Sequence, residues 1–144
     1  MYKRQVLSRA EARAAQARLA ELLQDAVDNG ASVGYLAPLS AEEAASYWAP
    51  LIAALDPAQR LLMVAEVDGT IAGTVQLVLE GRPNGNHRAE VAKLLVHTDF
   101  RRRGVATALI HALEREARTA GRTLLVLDTQ SGEPAEALYF ARGY

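Results

Sequence analysis

Three arginines precede a glycine in the segment HTDFRRRGVATAL, residues 97–109. The apolar spacing after the glycine predicts a helix and the residues before it predict a strand, so the first backbone N–H groups of the helix lack intrahelical partners. These amides and the helix dipole favour a phosphate-like anion. Gly104 lets the backbone approach such an anion, Ala106 keeps the next turn narrow, and the arginines attract it. The segment predicts an anion-binding loop, with a solvated helix start as the alternative.

The overall charge argues against nucleic acid as this anion. The 144 residues contain 16 Lys and Arg and 17 Asp and Glu, for a formal net charge of −1. Nucleic-acid-binding domains usually present a broad basic face, whereas the arginines here are a local feature. We therefore expect no nucleic-acid partner.

The content of cysteine and histidine narrows the chemistry further. The sequence has no cysteine, which excludes disulfides, thiolate metal sites and a cysteine nucleophile. His87, His97 and His111 do not form a spaced ligand set with carboxylates, so no metal site is expected. No apolar run is long enough to span a membrane and the N-terminus lacks the apolar core of a signal peptide, so we expect a cytoplasmic location and no membrane partner.

The first sixty residues are predicted to hold one strand and two helices. Residues 2–7 form the strand, and Ser8 and Ser40 each begin the Ser-x-x-Glu spacing of a capping box at a helix start. The first helix is expected to end at Asn29-Gly30, in a left-handed cap. Pro50 is expected to kink or split the second helix.

From residue 61 the pattern predicts an antiparallel meander. Its strands are residues 61–67, 70–80 and 89–97, and the tight turn between the first two is Asp68-Gly69. Alternation divides the third strand between two faces. One face carries Val91, Lys93, Leu95 and His97, and the other carries Glu90, Ala92, Leu94 and Val96.

The segment after the arginines is predicted to return the chain to the same sheet. Apolar residues recur at helical spacing from Val105 to Ala117, and Gly121 precedes the apolar strand Leu124–Leu127. A strand, a helix and a strand in this order predict a right-handed crossover to a parallel neighbour. With a final helix beginning at Pro134, the fold class is α/β (α+β): a mixed central sheet with helices on both faces.

Residues 89–144 resemble the GCN5-related N-acetyltransferase (GNAT) family. The segment 101–106 matches the family motif R/Q-x-x-G-x-G/A, and AEVAKLLVH, LLVLDT and AEALYFARGY resemble the strand before the loop, the strand splayed from it and the following helix. The segments VGY, RPNGNHRAEVAKLLV and LDTQSG are similar to the acetyltransferases that inactivate the dipeptide antibiotic tabtoxin. This resemblance implies transfer of an acetyl group from acetyl-CoA to a primary amine of a small molecule, amino-acid-like or dipeptide-antibiotic-like, and hence a role in antibiotic resistance.

The resemblance also implies where acetyl-CoA binds. Its pyrophosphate is expected on the amides of residues 102–106, within a cofactor site that comprises Arg101, Arg102, Arg103, Gly104, Val105, Ala106 and Thr107. Its pantetheine arm is expected to pair with the backbone of Leu94, Leu95 and Val96, whose side chains belong to the core. No metal takes part.

Three residues are candidates for acid and base catalysis. Direct attack of the amine in a ternary complex requires a base and a proton for the departing thiolate. Glu90 lies eleven residues before Arg101, where some family members keep a catalytic glutamate, and partial burial would raise its pKa toward neutrality. Its structural alternative is an ion pair at the strand end, and Asp128 is the rival base. Tyr139 occupies the position of the family's general-acid tyrosine, with core packing as its alternative.

Two departures from the family leave other functions open. Gly132 stands seven residues before Tyr139, where the family often has asparagine. The family usually continues past the G-F/Y pair with two more strands, so we expect residues 1–144 to be a single N-acetyltransferase domain truncated at its C-terminus. The exposed sheet edge would then be covered by a partner chain, as in a homodimer, or be prone to aggregation. Acetylation of a protein or peptide and CoA binding without catalysis are the alternative functions.

Overall fold

The computed structural model describes residues 2–29, 38–56, 59–79, 88–100, 103–119 and 124–127. The elements in chain order are β1 (Tyr2–Val6), α1 (Arg9–Ala14), α2 (Gln16–Asp28), α3 (Ala41–Ala53), β2 (Arg60–Val67), β3 (Thr70–Leu79), β4 (Arg88–Val96), α4 (Val105–Thr119) and β5 (Leu124–Leu127). A short 3-10 turn, Thr98–Phe100, connects β4 to the loop before α4.

The strands form one five-stranded sheet in the order β1-β2-β3-β4-β5. The pairs β1–β2, β2–β3 and β3–β4 are antiparallel, and the pair β4–β5 is parallel. The crossover from β4 to β5 passes through α4, because parallel neighbours cannot be joined by a tight turn. The predicted meander followed by strand, helix and strand is confirmed.

Helices cover both faces of this sheet, as predicted. On one face, α1, α2 and α3 bury an apolar cluster that includes Leu19, Leu23, Trp48, Leu62 and Val64. On the other face, α4 packs on the sheet through a cluster that includes Met63, Val75, Leu77, Leu109 and Leu113. Neighbouring residues of β2, such as Leu62 and Met63, belong to opposite clusters because successive strand side chains point to opposite faces.

Both predicted capping boxes are present. The hydroxyl of Ser8 accepts the backbone N–H of Glu11 at 3.1 Å, and the Glu11 carboxylate accepts the N–H of Ser8 at 2.9 Å. Ser40 and Glu43 form the same pair of bonds at the start of α3. Local spacing suffices here because every partner lies within one helical turn.

The predicted first helix differs from the observed structure at both its middle and its end. It is divided into α1 and α2 at Ala15, whose φ of −94° and ψ of 0° leave the helical region. At its end, Asn29 has a φ of −104°, so the predicted left-handed cap is wrong for this residue, and Gly30 lies outside the described residues. The side-chain amide of Asn29 donates to the Asp25 carbonyl at 2.8 Å and thereby caps the helix in another way.

The structure also tests the predicted effects of Pro50 and of Asp68-Gly69. Helix α3 is not split, because Pro50 lies in its last turn, where the missing N–H removes one bond and the helix ends at Ala53. The turn between β2 and β3 is confirmed, since Asp68 and Gly69 have φ angles of 52° and 83°. Positive φ at both positions is the signature of a primed hairpin turn.

Candidate functional site

A β-bulge interrupts β4 at Lys93, the residue at which its backbone φ becomes +52°. Thr74 of β3 pairs with Leu95, whereas Gln76 pairs with Ala92. One residue of β3 therefore faces two residues of β4, which defines the bulge. A bulge bends a strand and redirects its side chains, so β4 changes direction in the segment that leads to the anion-binding loop.

The bulge overturns the predicted division of β4 into two faces. Val91 packs in the cluster beneath α4, whereas Leu95 packs in the cluster beneath α1–α3, so the two lie on opposite faces. Leu94 and Val96 are partly buried against the α4 cluster. The prediction is wrong because strict alternation holds only while each residue has one partner, and the inserted residue shifts it by one. The strand also ends at Val96, so His97 lies just outside it.

The described pairs between β4 and β5 lie on the part of β4 before the bulge. They run from Arg88–Leu124 to Val91–Leu127. Leu94, Leu95 and Val96 follow these pairs along β4, and on the other side Leu95 pairs with Thr74 and Val96 with Gly73 of β3. This edge of β4 is where the sequence predicts the pantetheine arm.

The loop residue Gly104 has the geometry expected of an anion-binding turn. Its φ is +75°, which side-chain-bearing residues rarely adopt, and nothing lies within 4 Å of a Cβ built on it. The first helical bond of α4 is donated by Ala108 to the Gly104 carbonyl at 2.9 Å, so the amides of residues 105–107 have no intrahelical acceptor. The amides at the start of α4 therefore lie next to the open space around Gly104.

The other predicted cofactor residues are distributed around this helix start. Val105, the first residue of α4, is buried against the sheet, Ala106 is half-buried and Thr107 is exposed. Arg103 is exposed, and its guanidinium lies 5.4 Å from the centre of the Phe100 ring. Arg101 and Arg102 lie outside the described residues. Among the described residues, positive charge and unpaired amides therefore occur together at this turn.

Gly73 on β3, which has no role in the sequence-based prediction, allows α4 to begin close to the bulge. A Cβ added there would lie 2.9 Å from the Leu95 carbonyl oxygen and 3.0 Å from Cγ1 of Val105. Contacts this short require a shift of backbone or helix. Glycine within an apolar strand is the signal that could have identified this close approach.

A second supporting contact joins α2 to the segment after β4. The carboxylate of Asp25 accepts the backbone N–H of Thr98 at 3.0 Å and its hydroxyl at 2.8 Å, and lies 3.7 Å from Nε2 of His97. Asp25 is also largely buried. No short-range sequence pattern indicates this contact, because its partners are 73 residues apart.

Of the three catalytic candidates, Glu90 is the one that lies within the described residues. It is paired with Val78 of β3 and Val126 of β5, one residue before Val91, the last residue of β4 in the described β4–β5 pairing. Its side chain is exposed and not partly buried as the sequence-based argument required. Asp128 and Tyr139 lie outside the described residues.

The described part of the chain contains neither a metal cluster nor a membrane-spanning helix. The described residues contain no group of three or more His, Cys, Asp or Glu side chains arranged to hold a metal ion. None of their helices has the length and apolar character needed to cross a lipid bilayer.

Sequence comparison assigns the class of protein. Residues 30–144 match the Acetyltransferase (GNAT) family. A curated relative, the "Uncharacterized N-acetyltransferase in hisH-hisA intergenic region" of Azospirillum brasilense, is 34% identical, with 81% of this chain and 71% of the relative covered. The chain therefore belongs to the GNAT family of acetyltransferases, whose co-substrate is acetyl-CoA.

Solved structures show the same fold. An aminoglycoside acetyltransferase from an uncultured soil metagenomic sample superposes with a TM-score of 0.70 at 23% identity, over 99% of this chain and 91% of the other. A Salmonella typhimurium protein named as an acetyltransferase and solved with its cofactor acetyl-CoA gives a TM-score of 0.68 at 16% identity, over 99% and 79%. At these identities the likeness concerns the fold.

Proposed function

We propose that this protein transfers the acetyl group of acetyl-CoA to a primary amine of a small molecule, amino-acid-like or dipeptide-antibiotic-like, by direct attack in a ternary complex. The proposal rests on three structural features that occur in order along β4 and the loop that follows it. The bulge at Lys93, the part of β4 beyond its described pairs with β5 and the open turn at Gly104 follow one another within twelve residues. Where the acceptor is an antibiotic, acetylation of its amine would inactivate it.

The described residues fit acetyl-CoA at the start of α4. The amides of residues 105–107 are available to the pyrophosphate, and the positive φ and open surroundings of Gly104 leave room for it. Arg103 contributes positive charge, and we assign the same role to Arg101 and Arg102. The backbone of Leu94, Leu95 and Val96 lies along the strand edge where the pantetheine arm would pair. Acetyl-CoA supplies the activated acetyl thioester.

The proposed chemistry needs one base and one acid from the protein. The amine nitrogen bonds to the acetyl carbon, the carbon–sulfur bond breaks, the amine loses a proton and the thiolate gains one. Glu90, exposed beside the end of the described β4–β5 pairing, would accept the amine proton through a water molecule. Asp128 is the alternative base, and Tyr139 would donate the proton to sulfur.

A thiol-release assay tests this function directly. Because the chain has no cysteine, a thiol reagent detects released CoA without background from the protein. Among amino acids, dipeptides and aminoglycosides, at least one amine should release CoA at a rate well above acetyl-CoA hydrolysis, with mass spectrometry showing the acetylated amine. Turnover of peptides or proteins alone would favour the protein acetyltransferase alternative. Binding of acetyl-CoA with no turnover of any amine would show a CoA-binding module.

A further inference from the structure

A cavity of about 690 Å³ lies between the second half of α3 and the strands β2 and β3. This volume is within the range of small-molecule sites. Its walls combine apolar with polar and charged side chains, and they comprise Pro50, Leu51, Ala54, Asp56, Gln59, Arg60, Val78 and Leu79.

The cavity adjoins the strand position of Glu90. Arg60 on β2 is directly opposite Val78 on β3, and Val78 is directly opposite Glu90 on β4. Residues directly opposite each other point to the same face, so these three side chains share the face covered by α1–α3. Two strand spacings separate the backbones of Arg60 and Glu90, which is about 10 Å.

A buried amide holds the Arg60 guanidinium in place. Gln76 is 0% exposed, and its side-chain oxygen accepts a hydrogen bond from Nη1 of Arg60. Its side-chain nitrogen donates to the hydroxyl of Tyr47 on α3 at 3.0 Å, and Nζ of Lys93 lies 5.6 Å from the centre of that ring. A guanidinium has five N–H donors in a rigid fork, so the bond to Gln76 orients it and leaves other donors for a ligand.

We infer that this cavity binds a carboxylate of the acceptor molecule and that Arg60 is its partner, an inference that rests on the proposed function. The charge and planarity of the guanidinium suit a carboxylate bound through two hydrogen bonds. Asp56 also lines the cavity. The acceptor class that we infer is an amine that carries a carboxylate.

The strand spacing accommodates an acceptor of dipeptide length. An extended dipeptide spans roughly 7 Å, and the side chains of Arg60 and Glu90 cover the remaining distance. A dipeptide can therefore place its carboxylate at Arg60 and its amine toward Glu90.

The test compares ten dipeptides with their C-terminal amides in the thiol-release assay. The wild-type protein should prefer the free acids by about ten- to hundredfold in kcat/KM, the effect of a charged hydrogen bond. Arg60→Gln should lower the kcat/KM of the acids more than that of the amides and thereby abolish this preference, and Arg60→Lys should retain part of it. Arg13→Gln, at an exposed position on α1, is the matched control and should keep the preference.

Other outcomes would overturn the inference. Equal turnover of acids and amides by the wild-type protein would do so, as would equal losses for both in Arg60→Gln. Calorimetric titration of the dipeptides without acetyl-CoA separates the two proposals. If no amine is acetylated, the proposed function fails, and binding of the acids that depends on Arg60 still decides whether the cavity is a carboxylate site. Thermal unfolding of each variant shows that it is folded.

Discussion

Asp25 of α2 holds Thr98 through two hydrogen bonds, one to the backbone N–H at 3.0 Å and one to the hydroxyl at 2.8 Å. Thr98 follows β4 directly and begins the turn that leads to Gly104. Helix α2, on one face of the sheet, therefore positions the start of the loop that leads to α4. Helix α4 covers the other face. This contact connects the α1–α3 layer to the proposed pyrophosphate site.

Replacing Asp25 should weaken acetyl-CoA binding, although Asp25 is not one of the residues assigned to the cofactor site. Asp25→Ala leaves the partly buried Thr98 donors unpaired, which should lower the free energy of unfolding by about 1–3 kcal/mol. Binding of acetyl-CoA should weaken as well, because the loop loses its anchor. Calorimetry and urea unfolding measure the two effects. Thr119→Val, which removes a hydroxyl bonded to the Arg115 carbonyl at the end of α4, is a control that should leave binding unchanged. Unchanged binding in Asp25→Ala would contradict the positioning role.

The contrast between local and distant contacts explains how much of this site the sequence could predict. The capping boxes and the Asp68-Gly69 turn depend on residues a few positions apart, and both were predictable. The bulge at Lys93 was not, because Leu94, Leu95 and Val96 are all apolar and their types do not show which face each one takes. The Asp25–Thr98 bonds and the packing of Gly73 against Val105 join distant segments. The sheet topology followed from element order, whereas the shape of the site depends on such long-range contacts.

The capping box at the start of α1 should make stability depend on pH. The pKa of Glu11 lies below its usual value of 4.5 because the backbone N–H and the hydroxyl of Ser8 bond to its carboxylate. A carboxyl whose pKa is lower in the folded state stabilises the fold above its unfolded pKa and loses that effect as pH falls through the folded pKa. Wild-type protein should therefore be more stable than Glu11→Gln at pH 7, and the difference should vanish below the folded pKa.

Urea unfolding between pH 2.5 and 7 measures this difference. Glu21→Gln on α2, whose carboxylate pairs with Arg18, provides a matched change of charge outside the box. Ser8→Ala should separately cost about 1 kcal/mol, as expected for loss of a helix N-cap. A stability difference between wild type and Glu11→Gln that stays constant over this pH range would contradict the role of the carboxylate.

The turn at Gly104 should be more sensitive to backbone shape than to side-chain charge. Gly104 has a φ of +75°, and a β-branched residue at such an angle is strained by roughly 1–2 kcal/mol. Gly104→Val should therefore displace the first amides of α4 and weaken acetyl-CoA binding more than Arg102→Ala does. Calorimetric titration with acetyl-CoA compares the two variants, with thermal unfolding to show that each is folded. If Arg102→Ala is the more damaging change, the loop acts mainly as an electrostatic patch.

Glu90 should be needed for turnover and not for cofactor binding. The residue lies on β4 before the bulge, whereas the proposed cofactor contacts begin after it, at Leu94. If its carboxylate accepts the amine proton, Glu90→Gln should lower kcat by about 10²–10⁴ while leaving the affinity for acetyl-CoA unchanged. The rate should recover at high pH, where a larger fraction of the amine is already neutral. Glu66→Gln on β2 is the matched control and should retain wild-type kcat. If Glu90→Gln keeps the wild-type rate and Asp128→Asn loses it, Asp128 is the base.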